Sequence, residues 1–109
     1  MDKPTGITIE QARQILERHL PLLRERYQVQ SLGLFGSYVR QEQTPESDLD
    51  ILVAFSESPG LLQFVAFENH LSELLGVPVD LVMRDALKPH LGDRILQEVV
   101  SVCPPTASM

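Results

Sequence analysis

The chain has 109 residues, of which 43% are hydrophobic, and it carries a formal net charge of −6 with an isoelectric point near 4.9. This length suffices for one core and leaves little chain for a second substrate-binding unit. The acidic balance argues against a nucleic-acid surface, which ordinarily has a basic face, and it suits metal ions or basic proteins as partners. We therefore expect one domain over residues 1–109 that binds no nucleic acid directly.

Cysteine usage and hydropathy bear on the compartment. The only cysteine, Cys103, has no internal partner, which is compatible with a reducing cytosol. The sequence shows no signal peptide and no run of about 18 apolar residues. We expect a cytoplasmic protein without a membrane segment, and a loosely ordered leader and tail over residues 1–7 and 101–109.

Helical and strand patterns alternate along the chain. Thr8 followed by Gln11 is a capping-box signal, and apolar residues then recur at helical spacing as far as Leu23. Pro21 is expected to kink or split that helix. Further helices are predicted over 61–75, ending at Gly76, and 91–100, strands over 29–35, 48–53 and 77–83, and a short helix or turn over 38–43. The alternation, without repeat or linker, predicts one sheet with helices packed against it.

A glycine-serine turn follows the first predicted strand. Gly36 has no Cβ, so the chain can turn sharply there and approach a ligand closely, and Ser37 is a good helix N-cap. The free N–H groups of such a turn can hold a phosphate. The same pair also occurs in simple turns, and Arg40 fits either a phosphate contact or a cover for the sheet edge. The interpretation of this turn as a phosphate site therefore needs support from other residues.

Three carboxylates provide that support. Asp48 and Asp50 are two positions apart, so on a strand both side chains leave the same face, and Asp80 lies in the middle of a later apolar strand. Clustered carboxylates repel one another unless a cation lies between them, and their hard oxygen ligands suit Mg²⁺. Adjacent strands would bring all three together, as metal-assisted nucleotidyl transfer requires. The alternatives are a strand-edge pair that discourages aggregation and, for Asp80, a plain surface acid.

In this order and spacing, Gly36-Ser37, Asp48-x-Asp50 and Asp80 resemble the DNA polymerase β nucleotidyltransferase superfamily. More narrowly, residues 8–100 resemble its minimal nucleotidyltransferase (MNT) members, the antitoxins of HEPN/MNT toxin–antitoxin systems. The resemblance implies an α/β (α+β) fold with a small mixed β-sheet. The usual loop pattern is Gly-Ser-x-Ala-Arg-Gly, from which this chain departs at Val39 and Gln41. The resemblance further implies that the three acids are catalytic and metal-binding and that three loop residues bind the nucleotide, namely Gly36, Ser37 and Arg40.

The same resemblance implies a function. An Mg²⁺-dependent MNT enzyme transfers AMP from ATP to a tyrosine hydroxyl of a HEPN ribonuclease toxin and so inactivates it, within a hetero-oligomer of the two proteins. Chain length agrees, because an acceptor protein brings its own binding surface. Two other functions stay open, namely neutralisation of a basic toxin by binding alone and transfer to a small molecule such as an antibiotic. Metal-dependent ATP binding and dependence on a partner protein would distinguish the three.

Overall fold

The computed structural model describes residues 7–44, 46–87 and 89–102, except for the side chains of residues 89–91. Its four strands form a sheet in the order β3-β2-β1-β4, in which β2 and β3 are parallel and the other pairs antiparallel. This confirms the predicted α/β (α+β) class with a small mixed sheet. The elements are α1 (Ile9–Tyr27), β1 (Val29–Phe35), α2 (Ser37–Arg40), β2 (Leu49–Phe55), α3 (Leu61–Leu75), β3 (Val79–Met83), a 3₁₀ turn (Arg84–Ala86), α4 (Pro89–Glu98) and β4 (Val100–Val102).

One face of the sheet forms the core beneath α1 and α3. The odd-numbered residues Leu49, Ile51 and Val53 of β2 are fully buried in it, so the alternating Asp50 projects from the opposite face. Between the two helices, the rings of Tyr27 and Phe67 have centroids 4.7 Å apart. No helix in the described part of the chain has the length and apolarity needed to cross a membrane. Asp50 therefore lies on the second face of the sheet, where Leu52 of the same strand is also buried.

Helix α1 begins with the predicted capping box. Thr8 Oγ1 accepts a hydrogen bond from the Gln11 N–H at 3.0 Å, and Gln11 Oε1 accepts one from the Thr8 N–H at 3.0 Å. We expect Thr8→Ala to lower the free energy of unfolding by about 1 kcal/mol, because a helix-terminal amide loses its partner. Urea denaturation followed by circular dichroism measures this change. Arg18→Ala, at an exposed position of the same helix, is the control, and an equal loss in both variants would contradict the prediction.

Pro21 does not split α1, so the split that the sequence offered as one of two outcomes, beside a kink, is wrong. The helix continues from Ile9 to Tyr27 with Pro21 inside it. An internal proline costs about 3 kcal/mol, since it lacks an N–H and crowds the preceding turn. Leu20 and Leu23, on either side of it, are buried in the core. Burial of this apolar stripe offsets the cost and keeps the helix continuous.

Helix α3 ends at Gly76, as predicted, and Gly76 has a φ of 76°. The Ser72 and Glu68 side chains accept hydrogen bonds from the backbone N–H groups of Val79 and Leu81 at 3.1 and 2.9 Å. These amides belong to the edge strand β3, so α3 satisfies donors that the sheet leaves unpaired. The first turn of α3 does not pack in the core, since Leu61 and Leu62 are 78% and 86% exposed.

The chain after α4 differs from the prediction of a helix over 91–100 and a loose tail over 101–109. Helix α4 ends at Glu98, and Val100–Val102 form β4, antiparallel to β1. Val102 is buried, and its burial together with strand pairing outweighs the helical periodicity of the segment. The chain also approaches β1 closely, since a Cβ on Gly33 would lie 2.5 Å from Val99 Cγ2. Residues 1–6 of the expected leader and 103–109 of the tail, including Cys103, lie outside the described residues.

Candidate active site

The turn between β1 and α2 brings a predicted carboxylate against a predicted phosphate loop. Gly36 has a φ of 86°, which favours glycine, and a Cβ built on it would lie 1.9 Å from Asp50 Oδ2. The Asp50 carboxylate therefore packs against the main chain at a distance that only glycine permits. Ser37 begins α2, whose first amides have no acceptor within the helix. Tyr38, in contrast, is only 4% exposed and packs in the core.

Asp50 and Asp80 are direct neighbours across the parallel strands β2 and β3. Both project from the face opposite the core, where Asp50 is half-buried and Asp80 is exposed. The pKa of Asp50 is raised from 3.8 to about 6, first by burial and then by the charges of Asp80 and Asp48, while the charge of Arg40 opposes the rise. The adjacency that the sequence left conditional is thus present, and the negative charge it gathers favours a cation.

Asp48 precedes β2 and is exposed. Its charge acts on Asp50 and also on Tyr38, whose pKa is raised first by burial and second by Asp48. Within the described ranges, no three acidic, histidine or cysteine side chains are gathered tightly enough to enclose a metal ion. The charges of Asp48 and Asp80 therefore act on Asp50, but the three predicted acids do not form a closed cage.

Arg40 lies at the end of α2 between two carboxylates. Its Nε donates to Glu42 at 3.2 Å, and its Nη1 donates to both oxygens of Glu98 at 3.1 Å. These hydrogen bonds raise the pKa of Arg40, with Glu42 as the larger cause. Glu98 also accepts a hydrogen bond from the Gly36 N–H at 2.8 Å. The sequence did not indicate Glu98, because its partners Arg40 and Gly36 lie 58 and 62 positions away and no local sequence pattern predicts these contacts.

A cleft of about 390 Å³ joins several of these groups. Arg94 of α4, a second residue that the sequence did not single out, adds another cation to it. Ser37, Asp48 and Asp80 are not among the residues that line it. The cleft combines a carboxylate that attracts cations with guanidinium groups that attract anions, which suits a metal–polyphosphate complex. Its lining consists of Phe35, Gly36, Arg40, Asp50, Arg94, Ile95 and Glu98.

Comparison with known proteins places this arrangement in a family. The protein-family model of the nucleotidyltransferase domain matches residues 16–102 of this chain. Protein adenylyltransferase MntA of Thermococcus cleftensis is 49% identical over 96 residues, which cover 88% of this chain and 97% of that protein. The residues that match the family model include the glycine-serine turn and the positions of all three acids.

Solved structures show the same fold. A protein assigned as a minimal nucleotidyltransferase superposes with a TM-score of 0.73 at 35% identity, covering 89% of this chain and 98% of its own. A chain from the complex of a tri-AMPylated HEPN toxin with its MNT antitoxin, from Shewanella oneidensis, superposes with a TM-score of 0.61. At 21% identity over 84% of this chain and 72% of that one, this second likeness concerns the fold alone. The chain belongs to the nucleotidyltransferase domain family, as one of its minimal, MntA-like members.

Proposed function

We propose that this protein is an Mg²⁺-dependent protein adenylyltransferase that acts as an antitoxin, transferring AMP from ATP to a tyrosine hydroxyl of a HEPN ribonuclease toxin. The observation that carries the proposal is the position of Asp50, packed against Gly36 on one side and beside Asp80 on the other. The relative that is 49% identical is a protein adenylyltransferase. The Shewanella oneidensis complex contains an AMPylated HEPN toxin.

The metal would be held by Asp48, Asp50 and Asp80. Their donor atoms are all carboxylate oxygens, the ligands that Mg²⁺ prefers in proteins. The pKa of Asp50 is raised first by burial and then by the charges of Asp80 and Asp48, so a cation bound between these carboxylates would stabilise the ionised form. Bound Mg²⁺ would supply neutralisation of the polyphosphate charge and orientation of the phosphates.

The triphosphate would be bound by Gly36, Ser37 and Arg40. The amides at the start of α2 and the Ser37 hydroxyl supply neutral donors, and the guanidinium supplies positive charge. Because Arg40 and Asp50 line the same cleft, phosphate and metal contacts fall within one site. The contribution of these residues is mainly alignment of the α-phosphorus and stabilisation of the charge that develops on the leaving pyrophosphate.

Asp80 is suited to the acceptor side of the site. The strand order places Asp50 between the Gly36 turn and Asp80, and Asp80 is the more exposed of the two acids. A hydroxyl approaching from the β3 side therefore meets Asp80 first. We assign to Asp80 a share in ligation of a second metal ion and activation of the hydroxyl. The hydroxyl oxygen then bonds to the α-phosphorus, its proton is accepted by the carboxylate, and pyrophosphate leaves.

Intact-mass spectrometry of a HEPN partner tests the proposal directly. Incubation with ATP and Mg²⁺ is expected to add the mass of one or more AMP groups when this protein is present and none when it is omitted. Chelation of the metal with EDTA is expected to abolish the gain. An unchanged mass despite a stable complex would replace the proposal with neutralisation by binding, and transfer to a small acceptor without any partner would indicate an antibiotic-modifying type of enzyme.

A further inference from the structure

We propose that Glu98 is a positioning residue for the nucleotide, holding the Gly36 turn and the Arg40 guanidinium where they meet the phosphates. The inference rests on the proposed function and adds a residue to it. Glu98 ends α4, far in sequence from every motif that marks the site. Its carboxylate accepts hydrogen bonds both from the Gly36 N–H of the glycine-serine turn and from the side chain of Arg40.

The contact to Gly36 replaces a missing strand bond. Pairing between β1 and β4 runs only as far as Leu34 and Val100. Gly36 lies two residues beyond this last pair, where β4 no longer supplies a backbone acceptor, and the Glu98 carboxylate accepts its N–H at 2.8 Å instead. An amide buried without an acceptor would cost stability and leave the turn free to shift. Glu98 thus fixes the residue against which Asp50 packs.

The contact between Glu98 and Arg40 orients the Arg40 guanidinium. Both carboxylate oxygens of Glu98 accept from Arg40 Nη1 at 3.1 Å, and the Glu98 side chain is only 26% exposed, so solvent screens the pair incompletely. Arg40 and Asp50 line the same cleft. A guanidinium released from Glu98 could pair with Asp50 and compete with a metal ion for that carboxylate. Glu98 therefore keeps Arg40 available for phosphate and Asp50 available for metal.

The geometry favours positioning over blocking. Neither Glu42 nor Glu98 engages Nη2 of Arg40, so as far as the described residues show, this amino group can bond a phosphate oxygen while both ion pairs persist. Glu98 need not leave its place for a nucleotide to enter. A carboxylate that merely filled an anion site would instead have to be displaced by each incoming triphosphate.

Glu98→Gln separates the two contacts, because an amide oxygen still accepts from Gly36 but offers no charge to Arg40. We expect the KM for ATP to rise about fivefold and kcat to change less than about twofold, as fits the loss of one partly exposed charge-assisted pair. Glu42→Gln is the matched control. Glu42 is the more exposed partner of Arg40, and the acceptor of the Gly36 N–H is Glu98 rather than the Glu42 carboxylate, so the change in KM of Glu42→Gln is expected to stay below about twofold.

A double-mutant comparison shows whether Glu98 acts through Arg40. The combination of Glu98→Gln with Arg40→Ala is expected to raise KM no further than Arg40→Ala alone. The inference would be overturned if the increase in KM of the double mutant equalled the product of the increases in the two single mutants. A lower melting temperature of Glu98→Gln with an unchanged KM would overturn it as well. A KM that falls in Glu98→Gln would show that the carboxylate competes with phosphate, and would overturn it as well.

Calorimetric titration of each variant with a non-hydrolysable ATP analogue and Mg²⁺ separates this inference from the proposed function. If the wild-type protein binds the analogue but transfers no AMP, the proposed function fails. The ratio of the dissociation constants of Glu98→Gln and the wild-type protein for the analogue still tests the role of Glu98. If it transfers AMP and Glu98→Gln has the wild-type KM and dissociation constant, only the inference about Glu98 fails. A wild-type protein that binds no nucleotide would overturn both.

Discussion

Replacing Asp50 with asparagine is expected to lower the rate of AMP transfer at least about 100-fold and to leave the fold intact. Asparagine has nearly the shape of aspartate, so the packing against Gly36 is kept. It has no negative charge and only one acceptor oxygen, so the proposed metal site loses its most buried ligand. The rate of mass gain on the HEPN partner measures the first effect, and circular dichroism checks the second. Transfer at the wild-type rate would refute the assignment of Asp50 to the metal.

The same substitution is expected to stabilise the metal-free protein at neutral pH. The pKa of Asp50 is raised in the folded state, from 3.8 to about 6, so ionisation opposes folding. This penalty is absent below pH 4, grows as the pH rises to about 6 and is complete above it. Solvent screens a half-buried carboxylate, so we expect a gain on the order of 1 kcal/mol in Asp50→Asn at pH 7. Thermal melts at pH 4 and pH 7, without metal, measure the difference.

Two comparisons make the stability prediction specific to the site. Asp85→Asn, on the exposed 3₁₀ turn after β3, removes a carboxylate outside the cleft and is expected to change neither transfer nor the pH dependence of melting. Added Mg²⁺ is expected to raise the melting temperature of the wild-type protein, because a ligand that binds only the folded state stabilises it. The same addition is expected to have little effect on Asp50→Asn. An equal shift in both proteins would place the ion elsewhere.

The elements that the sequence predicted best are those whose signals are local. The capping box at Thr8 and Gln11 and the glycine after Leu75 fix helix ends within a few residues, and both helices have the predicted boundary there. The adjacency of Asp50 and Asp80 was also within reach, since a helix between two apolar strands favours a parallel pair. The roles of the individual site residues stay predictions that the experiments above address.

What the sequence could not reveal depends on contacts between distant segments. Strand β4 has three residues, too few to display an alternating pattern, and it exists because Val100–Val102 pair with β1. Glu98 has the character of an ordinary helix-surface acid until that pairing brings it to Gly36. Pro21 likewise carries a strong local signal that tertiary packing overrides. The sequence thus indicates the candidate ligands, which stay predictions, whereas Glu98, the residue proposed to position them, is recognisable only once the fold is known.

A methyl group at position 36 is expected to damage both stability and transfer. In Gly36→Ala the new Cβ would lie 1.9 Å from Asp50 Oδ2 and 2.9 Å from its Cγ, so the carboxylate or the turn must move. The φ of 86° adds strain for any L-residue. We expect the free energy of unfolding to fall by about 2–4 kcal/mol. We also expect transfer by the folded fraction to fall about 100-fold, because displacement of a catalytic group by about 1 Å has that order of effect.

Gly76→Ala separates the steric effect from the backbone effect. Gly76 has a similar φ of 76°, but apart from its chain neighbours no described residue has an atom within 4 Å of a Cβ built on it. Only the backbone strain is therefore present, and we expect a loss of about 1 kcal/mol with unchanged transfer. Urea denaturation and the rate of mass gain on the HEPN partner, measured below the unfolding transition of each variant, give the two quantities. Equal losses of stability and activity in the two variants would show that the contact between Asp50 and Gly36 does not shape the site. A loss of transfer activity confined to Gly36→Ala would show that the close packing of Asp50 against Gly36 positions the carboxylate for the reaction.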